Sequence, residues 1–126
     1  MKKLISLGLM TLMSSSVFAL GTMNIFDPTK FTGTEEQKVE VIASIERGVY
    51  NTYCIESDMC AESTLRMMEK SELTAFKYLT KIDESTMNLY DGVVQTYCVD
   101  IDMCSYTTIK MMYDSEVKAS NQTLTF

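Results

Sequence analysis

The stretch GVYNTYCIESDMCAESTLRMMEKSE, residues 48–72, returns as GVVQTYCVDIDMCSYTTIKMMYDSE at residues 92–116, 44 positions later. Both copies read T-Y-C-x3-D-M-C-x3-T-x2-M-M-x2-S-E, and 13 of the 25 aligned positions are identical. Several others are conservative, among them Ile55/Val99, Glu56/Asp100 and Arg66/Lys110. A period between about 20 and 50 residues marks one supersecondary unit used more than once. Each unit reads as a helix, a corner and a second helix. One such hairpin cannot bury its own apolar stripe, so the expected fold is all-α, two tandem helical hairpins packed as a small four-helix domain.

All four cysteines lie inside the repeat, two per copy. Their meaning depends on the beginning of the chain. Lys2 and Lys3 precede a short apolar run from Leu4 to Met13, and Val17-Phe18-Ala19 places small residues where a signal peptidase reads. Residues 1–19 are therefore expected to be an export signal, too short and too interrupted to span a bilayer, and no other apolar segment is long enough to do so. In an exported chain four cysteines imply two disulfides. Local pairs, Cys54–Cys60 and Cys98–Cys104, are favoured because an ancestral single unit would have carried both partners of its own bridge. A cross-repeat arrangement is the competitor. Each local bridge closes a loop of about seven residues, which the chain-entropy model values at about 2.4 kcal/mol.

Removing residues 1–19 from the 126 leaves 107 and takes away two lysines, so the net charge moves from −6 to −8. Such acidity opposes binding to nucleic acid, which rests on neutralising phosphates with Lys and Arg. It opposes anionic membrane surfaces equally. The expected location is outside the cytoplasm, periplasmic or secreted.

Residues 20–33, with the chain's single proline, Pro28, read as an extended N-terminal arm, loosely attached. Thr34-Glu35-Glu36-Gln37 has the T-x-x-Q form of a capping box and should start the first helix of a helical domain covering 34–120, with units at about 34–80 and 81–120. Val39, Ile42, Val49 and Tyr53, widened by Val41 and Ile45, give this helix its apolar face. Gly48, recurring as Gly92, points to close helix packing. Asp58 is the expected N-cap of the second helix, whose face carries Ala61, Leu65, Met68, Ala75, Phe76 and Leu79. A break is expected at Lys81 to Asp83. A third helix from Glu84 to Val99 follows, then a fourth capped by Asp102 and carrying Ile109, Met112 and Ala119. Residues 121–126 read as a frayed tail.

The C-x5-C pairs read as structural staples at the hairpin corners. A redox pair would more often be C-x2-C, and the absence of histidine argues against zinc. Eight methionines lie beyond residue 19, six at matched positions: Met59, Met67 and Met68 against Met103, Met111 and Met112. Met68 and Met112 fall on apolar faces, where Met fills gaps. Met67 and Met111, one residue round, should flank the core or form an adaptable edge. Thioethers also suit Cu(I). The acidic pairs Glu56/Asp58 and Asp100/Asp102 fail the EF-hand pattern and are explained by helix dipoles. Glu72 and Glu116 extend the apolar stripes and are expected to reach solvent at helix ends; a buried carboxylate there would need a partner such as Arg47 or Lys70.

Catalysis finds little footing. Without histidine no Ser-His or Cys-His nucleophile can be assembled, and no Gly-rich phosphate loop is present. The expected function is binding of a protein partner, possessing a basic surface, through the corner residues Glu56, Asp58, Met59, Asp100, Asp102 and Met103. Inhibitor, immunity factor, secretion accessory and stress chaperone are roles of that kind. The alternative is a periplasmic protein that binds Cu(I) or another soft metal through methionine. No resident cofactor is implied.

Overall fold

Thr34 opens the first helix as the T-x-x-Q pattern requires: the Gln37 N–H donates to Thr34 Oγ1 at 3.2 Å. Gln37 Oε1 reaches back one and two residues beyond the usual partner, accepting from the N–H of Gly33 at 3.1 Å and of Thr32 at 2.7 Å. Gly33 takes the left-handed φ of +87° that this tight entry demands. The computed structural model describes Ala19, Leu20 and residues 25–126. The signal segment lies outside the described residues apart from Ala19.

Helix α1 spans Glu35–Tyr50. Its buried residues are Val41, Ser44, Ile45 and Val49, a stripe at i, i+3, i+4 and i+8. Val39 and Ile42, expected on that face, are exposed, Val39 to 69%. The sequence offers two overlapping apolar stripes, and the one continuous with Tyr53, which packs against the core, won. α1 runs on without a break into a π-helical turn, Asn51–Ile55.

Helix α2 spans Glu62–Leu79 and buries Leu65, Ala75, Phe76 and Leu79, with Met68 packed at the margin. The break expected at Lys81 to Asp83 begins one residue earlier, at Thr80, whose N–H bonds back to Phe76 O, with the Lys81 N–H on Tyr78 O. The second unit repeats the plan. A 3-10 turn, Glu84–Thr86, leads into α3, Met87–Val94, and a second π-helical turn follows, Gln95–Asp100. α4 is Tyr106–Ser120. Both bridges are local, Cys54–Cys60 and Cys98–Cys104, with Cα atoms 4.5 and 4.3 Å apart. The fold is thus all-α, two disulfide-stapled hairpins, with residues 121–126 exposed beyond α4. Among the described residues no helix is long and apolar enough to cross a membrane.

α1 packs on α2, α2 on α4 and α4 on α3, the α2–α4 contact being the most extensive. Across it Glu72 bonds to Thr107, and Tyr78 Oη donates to Asp114 Oδ1 at 2.6 Å. Partners advance together along both helices, so α2 and α4 run parallel, with a register of 35 or 36 residues. The repeat itself has a period of 44. α4 is therefore slid along α2 by eight or nine residues, about 13 Å at 1.5 Å per residue.

The N-terminal arm is extended, but it is not loose. Ile25–Phe26 pairs antiparallel with Ala19–Leu20, and Pro28–Lys30 forms a 3-10 turn. Phe26 and Pro28 are almost wholly buried. The Phe26 ring stands edge-on to Phe31 and Phe76, and Phe76 to Tyr106, at centroid distances of 5.0–6.4 Å. Tyr106 Oη donates to Phe26 O at 2.7 Å, and Tyr90 Oη to Asp27 Oδ1 at 3.0 Å. Burial raises the pKa of both phenols, beside Asp27 in the case of Tyr90, so they remain donors. The arm plugs the seam of both units.

Close packing does not explain the repeated glycine. A Cβ added at Gly48 or Gly92 would meet no atom within 4 Å. The arm makes a sharper expectation. Phe26→Ala should cost about 3–5 kcal/mol, as for other buried Phe truncations, whereas Val39→Ala should change stability by less than about 0.5 kcal/mol. Urea denaturation of the two variants checks this, and equal costs would mean the arm is as dispensable as a surface valine.

Candidate functional site

The sequence-derived site residues sit on the two corners. Each corner begins with a π-helical turn, closed by Glu56 N–H to Asn51 O at 2.9 Å and by Ile101 N–H to Thr96 O at 3.0 Å. The chain then folds back, with Met59 N–H on Tyr53 O and Met103 N–H on Tyr97 O, and the disulfide closes behind it. Glu56, Asp58, Met59, Asp100, Asp102 and Met103 are all exposed. So are Ile55, Val99 and Ile101 beside them. Because α2 and α4 are parallel, both corners face the same end of the domain. The register slide staggers them along the axis by about 13 Å rather than placing them side by side.

The acidic residues do not cap the helices. α2 has Ala61 at its N-cap position, with no side-chain bond, and α4 has Ser105, whose Oγ accepts from the Thr108 N–H at 3.2 Å. The corner occupies three residues after the aspartate before helical geometry begins, which puts Asp58 and Asp102 out of reach. Asp102 instead takes a left-handed φ of +55°, a conformation that Asp tolerates better than most residues. Asp58 does not share it.

The second corner leans on the flank of the first hairpin and closes a cleft of about 440 Å³. Arg47, Gly48 and Glu56 lie along its lining with Met68, Glu72 and Cys104. Glu72 is the residue that the sequence misjudged. Its carboxylate does not sit free at a helix end but accepts from Thr107 N–H at 3.1 Å and Thr107 Oγ1 at 3.2 Å, at the N-terminus of α4. Neither Arg47 nor Lys70 is its ion-pair partner. Burial pushes its pKa above the usual carboxylate range, partly offset by the Thr107 bonds. Glu116, its repeat mate, is exposed. Nothing local could have revealed this, since the donor is 35 residues away.

On the opposite side of the α2–α4 contact, Met67 and Met111 line a shallow groove with Lys70, Ala75, Lys110 and Asp114. They are 56% and 58% exposed, as a position one step off the apolar face requires, while Met68 and Met112 pack against the core. Lys110 lies 4.4 Å over the Tyr78 ring and 3.0 Å from Asp114. The hydrogen bond to Asp114 pushes the Tyr78 phenol up to about 12. The helical register places Met67 and Met111 about 13 Å apart along the axis, at the two ends of the groove. Among the described residues no group of three or more His, Cys, Asp or Glu side chains is placed to hold a metal. Compared with known proteins, the chain matches no family model, no curated protein and no solved structure.

Two expectations follow for the helix starts and for Glu72. Ser105→Ala should cost about 1 kcal/mol and Ala61→Ser should gain a similar amount, while Asp58→Ala changes little. Thermal unfolding of the three variants decides it, and a large loss at Asp58 alone would restore that residue as the cap. For Glu72, a raised native pKa means the folded protein holds more protons than the unfolded chain between about pH 4.5 and the native value. The stability from this group is full below that window and is lost as pH rises through it. Glu72→Gln should therefore equal or exceed the wild type in stability at pH 7, with the gap closing toward pH 4. A gap that opens on acidification would show that the charged form is the stabilising one.

Proposed function

We propose that this is a small exported protein that binds another protein through its two disulfide-fixed corners. The observation carrying this reading is the matched exposure of large apolar side chains beside carboxylates in both copies. Met59 and Met103 are each 57% exposed, and Ile55 and Val99, at equivalent positions, are exposed as well. Isolated surface apolars need no explanation. The same residues exposed twice, on corners held by a bridge, are better explained by recognition. Methionine adapts its shape to a partner, and the fixed backbone reduces the ordering lost on binding. Glu56, Asp58, Asp100 and Asp102 favour a partner with basic residues around an apolar patch, and steer its approach. An inhibitor, immunity factor, secretion accessory or stress chaperone in the periplasm or secreted medium would use such a surface.

The copper reading is weakened by the 13 Å or so between Met67 and Met111, which is beyond what one ion can bridge.

A photo-crosslinker placed at Ile55 or Val99, both exposed on the corners, in protein exported to its natural compartment should trap a discrete partner. Met59→Asp with Met103→Asp should abolish the adduct, whereas Met67→Asp with Met111→Asp should leave it. Glu56→Gln with Asp100→Asn should weaken capture and flatten its salt dependence. If the groove pair removes the adduct and the corner pair does not, recognition belongs to the helix faces.

A further inference from the structure

We propose that the cleft between the two hairpins binds a primary ammonium group carried on an apolar stem, of the kind a lysine side chain presents. Its volume, about 440 Å³, lies within the usual range for small-ligand sites. Inside it the Glu72 carboxylate is held by neutral donors, chiefly the N–H and hydroxyl of Thr107, with the Tyr106 N–H and the Ser105 hydroxyl beside them. Among the described residues no Lys or Arg nitrogen comes within 4.0 Å of it; the four ion pairs present all lie elsewhere. A carboxylate taken partly out of water attracts a cation more strongly than an exposed one, because screening is weaker there. Burial already disfavours its charge, so an arriving ammonium relieves a standing penalty.

The rest of the lining suits the stem and the ends of such a ligand. Met68, Ile45 and the Cys104 side of the bridge are apolar, and Met accommodates an alkyl chain without a fixed shape. Arg47 and Glu56 line the cleft as well and are exposed. A guanidinium there can pair bidentately with a carboxylate, so a free amino acid would gain a second contact that an internal peptide residue would lack. Gly48 gives the cleft an open stretch of helix, since no side chain stands there and an added Cβ would touch nothing within 4 Å. The cleft shares Glu56 alone with the corner surface, and its occupancy does not depend on that surface holding a protein.

Titration of the isotope-labelled mature protein with N-acetyl-lysine methylamide, followed by amide NMR, tests the site. The amides of Glu72 and Thr107 should shift with saturation near about 1 mM. N-acetyl-norleucine methylamide, the same stem without its charge, should bind at least about tenfold more weakly. Glu72→Gln should reduce affinity for the lysine analogue by a similar factor, and Gly48→Leu, an exposed helical change that fills the cleft mouth, should do the same if the Gln variant fails to fold. Free L-lysine binding more tightly than the blocked analogue points to a small-molecule source acting through Arg47; the reverse order points to a lysine within a peptide. Equal binding of the lysine and norleucine analogues, unaltered affinity in Glu72→Gln or Gly48→Leu, or no shift at Thr107 overturns the proposal.

Discussion

The parallel contact between α2 and α4 sets everything else. Phe76 meets the Tyr106 ring edge-on at 5.0 Å, Glu72 meets the start of α4, and Tyr78 meets Asp114. Together an apolar wedge and two polar ties fix the axial register, and the buried aromatic pair supplies most of the attraction. That register brings both corners to one end, lays the Cys104 corner against the first hairpin, and opens a cleft on one side and a groove on the other. A slip of one turn would separate Glu72 from its donors and leave a half-buried carboxylate without these hydrogen bonds, which is costly.

How far the sequence revealed this depends on whether the information was local. The repeat, the capping box at Thr34 and the break after Leu79 are written within a few residues of where they act, and each was readable. So was local disulfide pairing, because both partners lie in one unit. The misread stripe on α1 shows the limit: Val39 and Ile42 are as apolar as Val41 and Ile45, and only the neighbours chosen in three dimensions decide which pair is covered. Phe26, Phe31, Tyr106 and Tyr113 were passed over for the same reason. Their weight in the core comes from contacts across the chain, such as the 80-residue separation between Tyr106 and Phe26.

The corner aspartates carry a related lesson. Identical residues at identical repeat positions, Asp58 and Asp102, adopt different backbone conformations, and Ala61 stands where Ser105 caps. Duplication preserved the letters while the surroundings diverged. The first disulfide includes the exposed Cys60, whereas Cys98 and Cys104 are both buried. The candidate recognition surface is thus offered twice, once on a corner bridged through the exposed Cys60 and once on a corner whose bridge is buried.

The slide of α4 along α2 also determines whether copies of this protein can add to one another end to end. The two units touch through unlike surfaces, the later part of α2 against the earlier part of α4, and such head-to-tail contacts do not close on themselves. Repeated, they would generate a filament. Composition breaks the repeat at that point: where unit one offers Ala75, Phe76 and Leu79, unit two has Ala119, Ser120 and Thr123, all exposed. Ser120 ends α4 and Thr123 lies beyond it, so the apolar face that α2 carries into its last turn has no full counterpart on α4.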